Sequence, residues 1–223
     1  MLNRYTTIIL FNLVFSLSAF TFTPRQALQE LKDGNERFIS GMTDKRDLLA
    51  QLAAAKKQTP FALILTCMDS RVSPEIIFDQ GIGDIFVERL AGNVINEDVL
   101  GGMEYGSELS SAKLIAVIGH TSCGAVHGAC EEVVDGKNLT HLLSKIKPAV
   151  AKVKKEQPHL SCDDTAAVNE IARQNVFNAI DQIKVESPVI MSLIQQGKLG
   201  LVGGMTDLGT GKVTFFEDDA LLP

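Results

Sequence analysis

The stretch "TCMDSRV" at residues 66–72 places Cys67, Asp69 and Arg71 at alternating positions, directly behind the apolar run "FALIL". Alternate residues of a strand project to one face. A thiol, a carboxylate and a guanidinium are therefore expected to point one way at the mouth of a strand. A second cluster, "GHTSCGAVHG" at 119–128, follows another apolar run and supplies His120 and Cys123. Two thiolates and an imidazole form a known catalytic zinc set, with three protein ligands and one open position. Soft sulfur with nitrogen favours zinc over magnesium or calcium. Cys123 is expected to start a helix, whose N-terminal partial charge favours the thiolate. Gly119 and Gly124 are expected to relieve crowding where backbone nears the site.

Asp69 decides the chemistry. It closes a structural site as a fourth ligand, or Arg71 holds it off the metal and leaves that position to water. Arg71 beside it would keep the carboxylate ionised and fix its direction. Zinc lowers the pKa of bound water to about 7, and Asp69 would then orient the hydroxide. The plainer reading of the pair is an ordinary loop salt bridge.

These residues need elements to position them. "FALILT" (61–66), "DIFVERL" (84–90), "KLIAVIG" (113–119), "LGLVGGM" (199–205) and "KVTFF" (212–216) read as strands. The first and third are near-continuous apolar runs, as in strands buried on both faces. The last is expected to return antiparallel. Thr23, Pro24 and Gln26 form a capping-box start for a first helix, with Leu28, Leu31 and Phe38 facing inward. Further helices are expected over Asp47 to Lys57, Pro74–Phe78, Val99–Leu109, Cys123–Val134, Leu139–Lys154 and Thr165–Val185. The alternation predicts an α/β fold with a mostly parallel central sheet. Ligands bind at the carboxyl ends of such strands, so Cys67 meets His120 and Cys123 if their strands are neighbours.

The bulk numbers are those of one globular domain: 223 residues, 45% hydrophobic and 22% charged. A net charge of −6 and the lack of Trp argue against a nucleic-acid binder. Residues 1–22 differ in kind. Arg4 precedes an apolar stretch from Ile8 to Phe20, too short to span a bilayer comfortably, which fits a secretory signal. The mature domain would be 23–223, periplasmic or secreted, with no stable membrane insertion after processing. The alternative is a cytoplasmic protein with an uncleaved apolar arm. Cys130 and Cys162 match no ligand position and are expected as two buried free thiols, with pairing the alternative after export. His127, one helical turn after Cys123, is either a proton relay or a helix-face histidine without a role. The basic run at 141–157 reads as a solvated helix face.

The motifs resemble a known family. "CMDSRV" and "GHTSCG" are similar to the CxDSR and GHxxCG motifs of the bacterial, plant-like β-class carbonic anhydrases. "RLAGN" (89–93), "TPRQALQELKDGNERF" and "DLGTGKVTFF" resemble further segments, so the likeness runs from about Thr23 to Phe216. It implies four parallel strands plus an antiparallel edge strand, flanked by helices. It also implies reversible hydration of carbon dioxide to bicarbonate and a proton by a zinc-bound hydroxide. By resemblance, Cys67, His120 and Cys123 hold one zinc per chain, and Asp69 with Arg71 is the gating dyad, Asp69 being the fourth ligand in a closed state. Gln58 would donate to substrate across a dimer interface, and Phe86 and Tyr105 would line the carbon dioxide pocket of a homodimer or homotetramer. Met68 replaces the usual serine and is expected to point away from the metal. Ile64 stands where bicarbonate-regulated members carry Trp, so that regulation is expected to be absent or altered. Two other functions share these residues: hydrolysis of a carbon dioxide analogue such as carbonyl sulfide, and a catalytically silent zinc module for assembly or bicarbonate sensing. The intact Asp69–Arg71 pair speaks against the silent form.

Overall fold

The computed structural model describes residues 22–110 and 112–223. The expected signal segment, apart from Phe22, lies outside them. Helix α1 (Pro24–Ile39) begins with the anticipated capping box: Thr23 Oγ1 accepts from Gln26 N, and Gln26 Oε1 accepts from Thr23 N. Asp47 caps α2 (Leu48–Ala54), which ends before Lys57 and buries none of its residues. Then come β1 (Ala62–Thr66), α3 (Pro74–Ile77), β2 (Ile85–Arg89) and a 3₁₀ turn over Ala91–Asn93. Next, α4 (Glu97–Glu104) runs into a π-helical turn at Tyr105–Leu109, where one continuous helix was expected. Strand β3 (Leu114–His120) and α5 (Gly124–Cys130) follow, and α5 stops short of Val134 as Glu132 turns to a φ of 54°.

The expected helix over Leu139–Lys154 is two helices, α6 (Gly136–Ser144) and α7 (Lys147–Glu156). Pro148 is the physical reason. It lacks the amide hydrogen and its ring clashes with the preceding turn, so it suits the start of a helix and not its interior. The long α8 (Thr165–Glu186) leads to α9 (Pro188–Gln195), β4 (Gly200–Thr206), β5 (Val213–Phe215) and a final 3₁₀ turn at Glu217–Asp219.

The strands form one sheet in the order β2-β1-β3-β4-β5. The first four are parallel and β5 is antiparallel, as predicted. Every residue of β1 and β3 is buried, which is why both read as unbroken apolar runs. Ile64, Ala116 and Ile118 share one layer with Leu28, Leu31, Val126 and Val150. Leu63, Leu65, Ile115 and Val117 share the other with Met103, Val176, Ile180 and Ile183. Each fully buried aliphatic side chain of this kind contributes on the order of 1.5–3 kcal/mol.

Two polar clasps tie the first helix and the segment after it to this core. Buried Asn35 donates to Ile77 O and Gly211 O and accepts from Val213 N, joining α1 to α3 and the β4–β5 hairpin. Asp79, 4% exposed at its side chain, accepts from Arg37 and Arg46. Cys130 and Cys162 are not free thiols. They form a disulfide with Cα atoms 5.8 Å apart. Packing of α5 on α8 brings the end of one beside the loop leading to the other, a proximity that residues 32 apart in sequence do not announce. No helix among the described residues is long and apolar enough to cross a membrane.

Candidate active site

The register of β1 and β3 sets the site. Thr66 pairs with Ile118, and its hydroxyl donates to Ile118 O at 2.9 Å. Cys67 therefore leaves the sheet beside Gly119 and His120. A sharp turn at Thr121 and Ser122 then brings back Cys123 as the N-cap of α5. The Sγ atoms of Cys67 and Cys123 are 4.0 Å apart. The ligating atoms of Cys67, His120 and Cys123 all lie within 4.8 Å of one another, and all three residues are buried.

This set fits a zinc ion on two independent grounds. Sulfurs about 2.3 Å from a tetrahedral zinc stand about 3.8 Å apart. His120 Nδ1 lies 2.9 Å from Thr121 O, so Nδ1 carries the hydrogen and Nε2 the lone pair. That Nε2 is buried and has no hydrogen-bond partner among the described residues, a cost that a cation removes. Gly119 has no room for a methyl group, since a Cβ would sit 2.7 Å from Met205 Sδ and 2.8 Å from Val176 Cγ2. Gly124 departs from expectation, because a Cβ there would meet nothing within 4 Å.

Asp69 and Arg71 form the bidentate pair. Arg71 Nε and Nη2 reach the two carboxylate oxygens at 2.9 and 2.7 Å. The cause is a turn and not strand alternation, because β1 ends at Thr66. Arg71 N donates to Asp69 Oδ1, and Val72 N to Asp69 O. The hydrogen bond from Arg71 holds the Asp69 carboxyl well below the usual carboxylate range, against the opposing effect of burial. Asp69 Oδ2 lies 4.0 Å from His120 Nε2, so the carboxylate borders the cluster without joining it. The hydrogen bond between the thiols pulls Cys67 down and pushes Cys123 up, a coupling that favours one thiolate in the pair. Burial pulls His120 down, but its interactions with Cys67 outweigh that and raise it.

Three contributors were not assigned a role from sequence. Arg89, at the end of β2, donates to the backbone carbonyls of both Cys67 and Asp69. Gly92 N donates to Cys67 Sγ at 3.3 Å. Gly92 has a φ of 68°, and a Cβ would lie 2.6 Å from Ile146 Cδ1. Buried Asn175 on α8 fixes the following peptide by donating to Gly92 O at 2.7 Å. The segment "RLAGN" was the available signal for Arg89 and Gly92. Nothing local marked Asn175 apart from the other polar residues of α8.

The remaining candidates are not members of the ligand cluster. Gln58 is exposed in the loop between α2 and β1. Phe86 on β2 faces Tyr105 with ring centroids 6.3 Å apart, and Tyr105 is half exposed. Met68 is exposed and lines an apolar hollow with Ala91, Ala125 and Leu142. His127 is exposed on α5, its amide donating to Cys123 O.

A family model described as carbonic anhydrase matches residues 62–213. Carbonic anhydrase 2 of Mycobacterium tuberculosis is 37% identical over 197 residues, covering 85% of this chain and 91% of its own length. A carbonic anhydrase of Mycolicibacterium smegmatis is 33% identical over 196 residues, covering 85% and 92%. Among solved structures, a tetrameric β-carbonic anhydrase from Sordaria macrospora aligns with a TM-score of 0.69 at 27% identity, covering 75% of this chain and 85% of that one. The chain belongs to the β-class carbonic anhydrases and is a lyase.

Proposed function

We propose that the protein catalyses reversible hydration of carbon dioxide to bicarbonate and a proton, with zinc held by Cys67, His120 and Cys123. The observation that carries this reading is a buried thiol–thiol–imidazole cluster with an unpartnered Nε2, bordered 4.0 Å away by an ionised carboxylate. When bound, zinc acts as a Lewis acid that makes solvent nucleophilic near neutral pH. Cys67, His120 and Cys123 would hold the ion. Asp69 would accept a hydrogen bond from the attacking solvent and orient it toward the carbon of substrate. Arg71 keeps Asp69 ionised and turned outward. Release of the pair would let Asp69 take the fourth position and shut the site.

Gln58, Phe86 and Tyr105 are read as the substrate pocket, completed in a homodimer or larger assembly in which Gln58 donates to the developing carboxylate. The exposure of Leu48, Leu49 and Leu52 on α2 supports association. The Cys130–Cys162 bridge supports export to an oxidising compartment. With Ile64 fully buried in the position of the regulatory Trp, bicarbonate inhibition is expected to be non-cooperative, which a titration of initial rates checks.

Zinc analysis with stopped-flow carbon dioxide hydration tests the central reading. Asp69→Asn is expected to keep about one zinc per chain and lose on the order of 100-fold or more in rate. An unchanged rate would remove Asp69 from the mechanism, and loss of the metal would make it a structural ligand.

A further inference from the structure

Next to the catalytic cluster, on the outer face of α5, lies a second group of ligating side chains that the reaction does not use. His127 and Glu131 are four residues apart, so they share one face at the end of that helix. Asp163 approaches from the loop before α8. One ligand atom from each, an imidazole nitrogen and two carboxylate oxygens, lies within 4.8 Å of the others. His127 and Asp163 also line a hollow of about 290 Å³ with Ser122, Gly124, Cys162 and Thr165.

Two features separate this group from an ordinary polar surface. None of the three side chains has a hydrogen-bond or ion-pair partner among the described residues. Two like-charged carboxylates thus converge, and neither forms a salt bridge among the described residues. Their approach is also covalently imposed. Glu131 directly follows Cys130, and Asp163 directly follows Cys162, so the disulfide fastens both ligand-bearing segments together.

We propose that His127, Glu131 and Asp163 form a second site, for a divalent transition cation such as zinc, whose affinity is set by the Cys130–Cys162 bridge. One nitrogen and two carboxylate oxygens suit zinc, nickel or copper better than calcium, which takes six to eight oxygens. Ligands about 2.0–2.2 Å from a metal stand about 3.4 Å apart, inside the present 4.8 Å limit, and binding would draw these exposed side chains together by rotation. Solvent exposure makes the site weaker than the buried Cys₂His cluster and freely exchanging.

The zinc-loaded full chain, dialysed against rising free zinc with elemental analysis, tests this. Wild type is expected to saturate at two ions per chain, and His127→Ala and Asp163→Asn at one. Cys130→Ala with Cys162→Ala is expected to weaken the second step by about tenfold. Should that double variant fail to fold, Glu131→Gln, which leaves the bridge intact, is expected to weaken the step instead. Wild type that stays at one ion at millimolar zinc, or a second ion that persists in both His127→Ala and Asp163→Asn, would overturn the site. A wild-type midpoint in a folded double cysteine variant would overturn control by the disulfide. The site does not depend on the proposed activity, because its loss is read from the step that His127 controls and not from turnover.

Discussion

The carboxyl edge of β1 and β3 and the outer margin formed by β2 and α2 are built on opposite plans. At the first, every strand residue is buried, the three candidate ligands are at most 4% exposed, and each is fixed by a backbone partner or a neighbouring ligand. At the second, α2 buries nothing, all of β2 is at least partly exposed, and Gln58 sits on a loop. The cluster that would hold the metal is thus assembled from buried residues of one sheet edge, while Gln58, Phe86 and Tyr105 lie on a partly exposed margin.

That contrast can be broken or sharpened by experiment. The largest effect is expected from Cys123→Ser, which removes one of the paired sulfurs. Zinc content and carbon dioxide hydration should fall together to background, and retention of both would refute assembly of the centre at this edge. Replacing Leu49 and Leu52 with Asp should act on the other region alone. Light scattering should show a smaller assembly that keeps its zinc while the rate drops by about tenfold or more through misplacement of the pocket. A wild-type mass of one chain would contradict a cover supplied by a second copy.

A smaller effect, confined to stability, is expected from Asp79→Asn. Burial acts to raise the pKa of Asp79, but Arg46 and Arg37 outweigh it and hold the carboxyl below its ordinary value. A depressed native pKa adds stability above the unfolded value of about 3.9, lost as pH falls through the native one. Urea melts should place the variant about 3 kcal/mol below wild type at pH 7, with the gap closing below pH 4. A gap that persists in acid would mean the loss comes from packing and not from charge.

What could be read from sequence divides along the same line. Apolar runs such as Leu114–Ile118 identify themselves as doubly buried strands, and the HxxC spacing of His120 and Cys123 already confines both to one turn. Asp69 and Arg71 were correctly paired for the wrong reason, since an Asx-type turn joins them and not a strand face. Pro148 carried enough information to divide α6 from α7, and the Ser187-Pro188 pair was an unread start signal for α9. The Cys130–Cys162 bond and the reach of Asn175 to Gly92 were not legible locally. Each depends on how α8 lies across the sheet, which is a property of packing and not of spacing.

The buried amide of Asn35 carries a consequence for how the molecule is made. Its three partners belong to residues 77, 211 and 213, so the clasp of the first helix is incomplete until almost the whole chain is available. During synthesis, the amino-terminal helix must therefore wait for the carboxyl-terminal hairpin to leave the ribosome. The first helix of the domain is among the last elements to be locked in place.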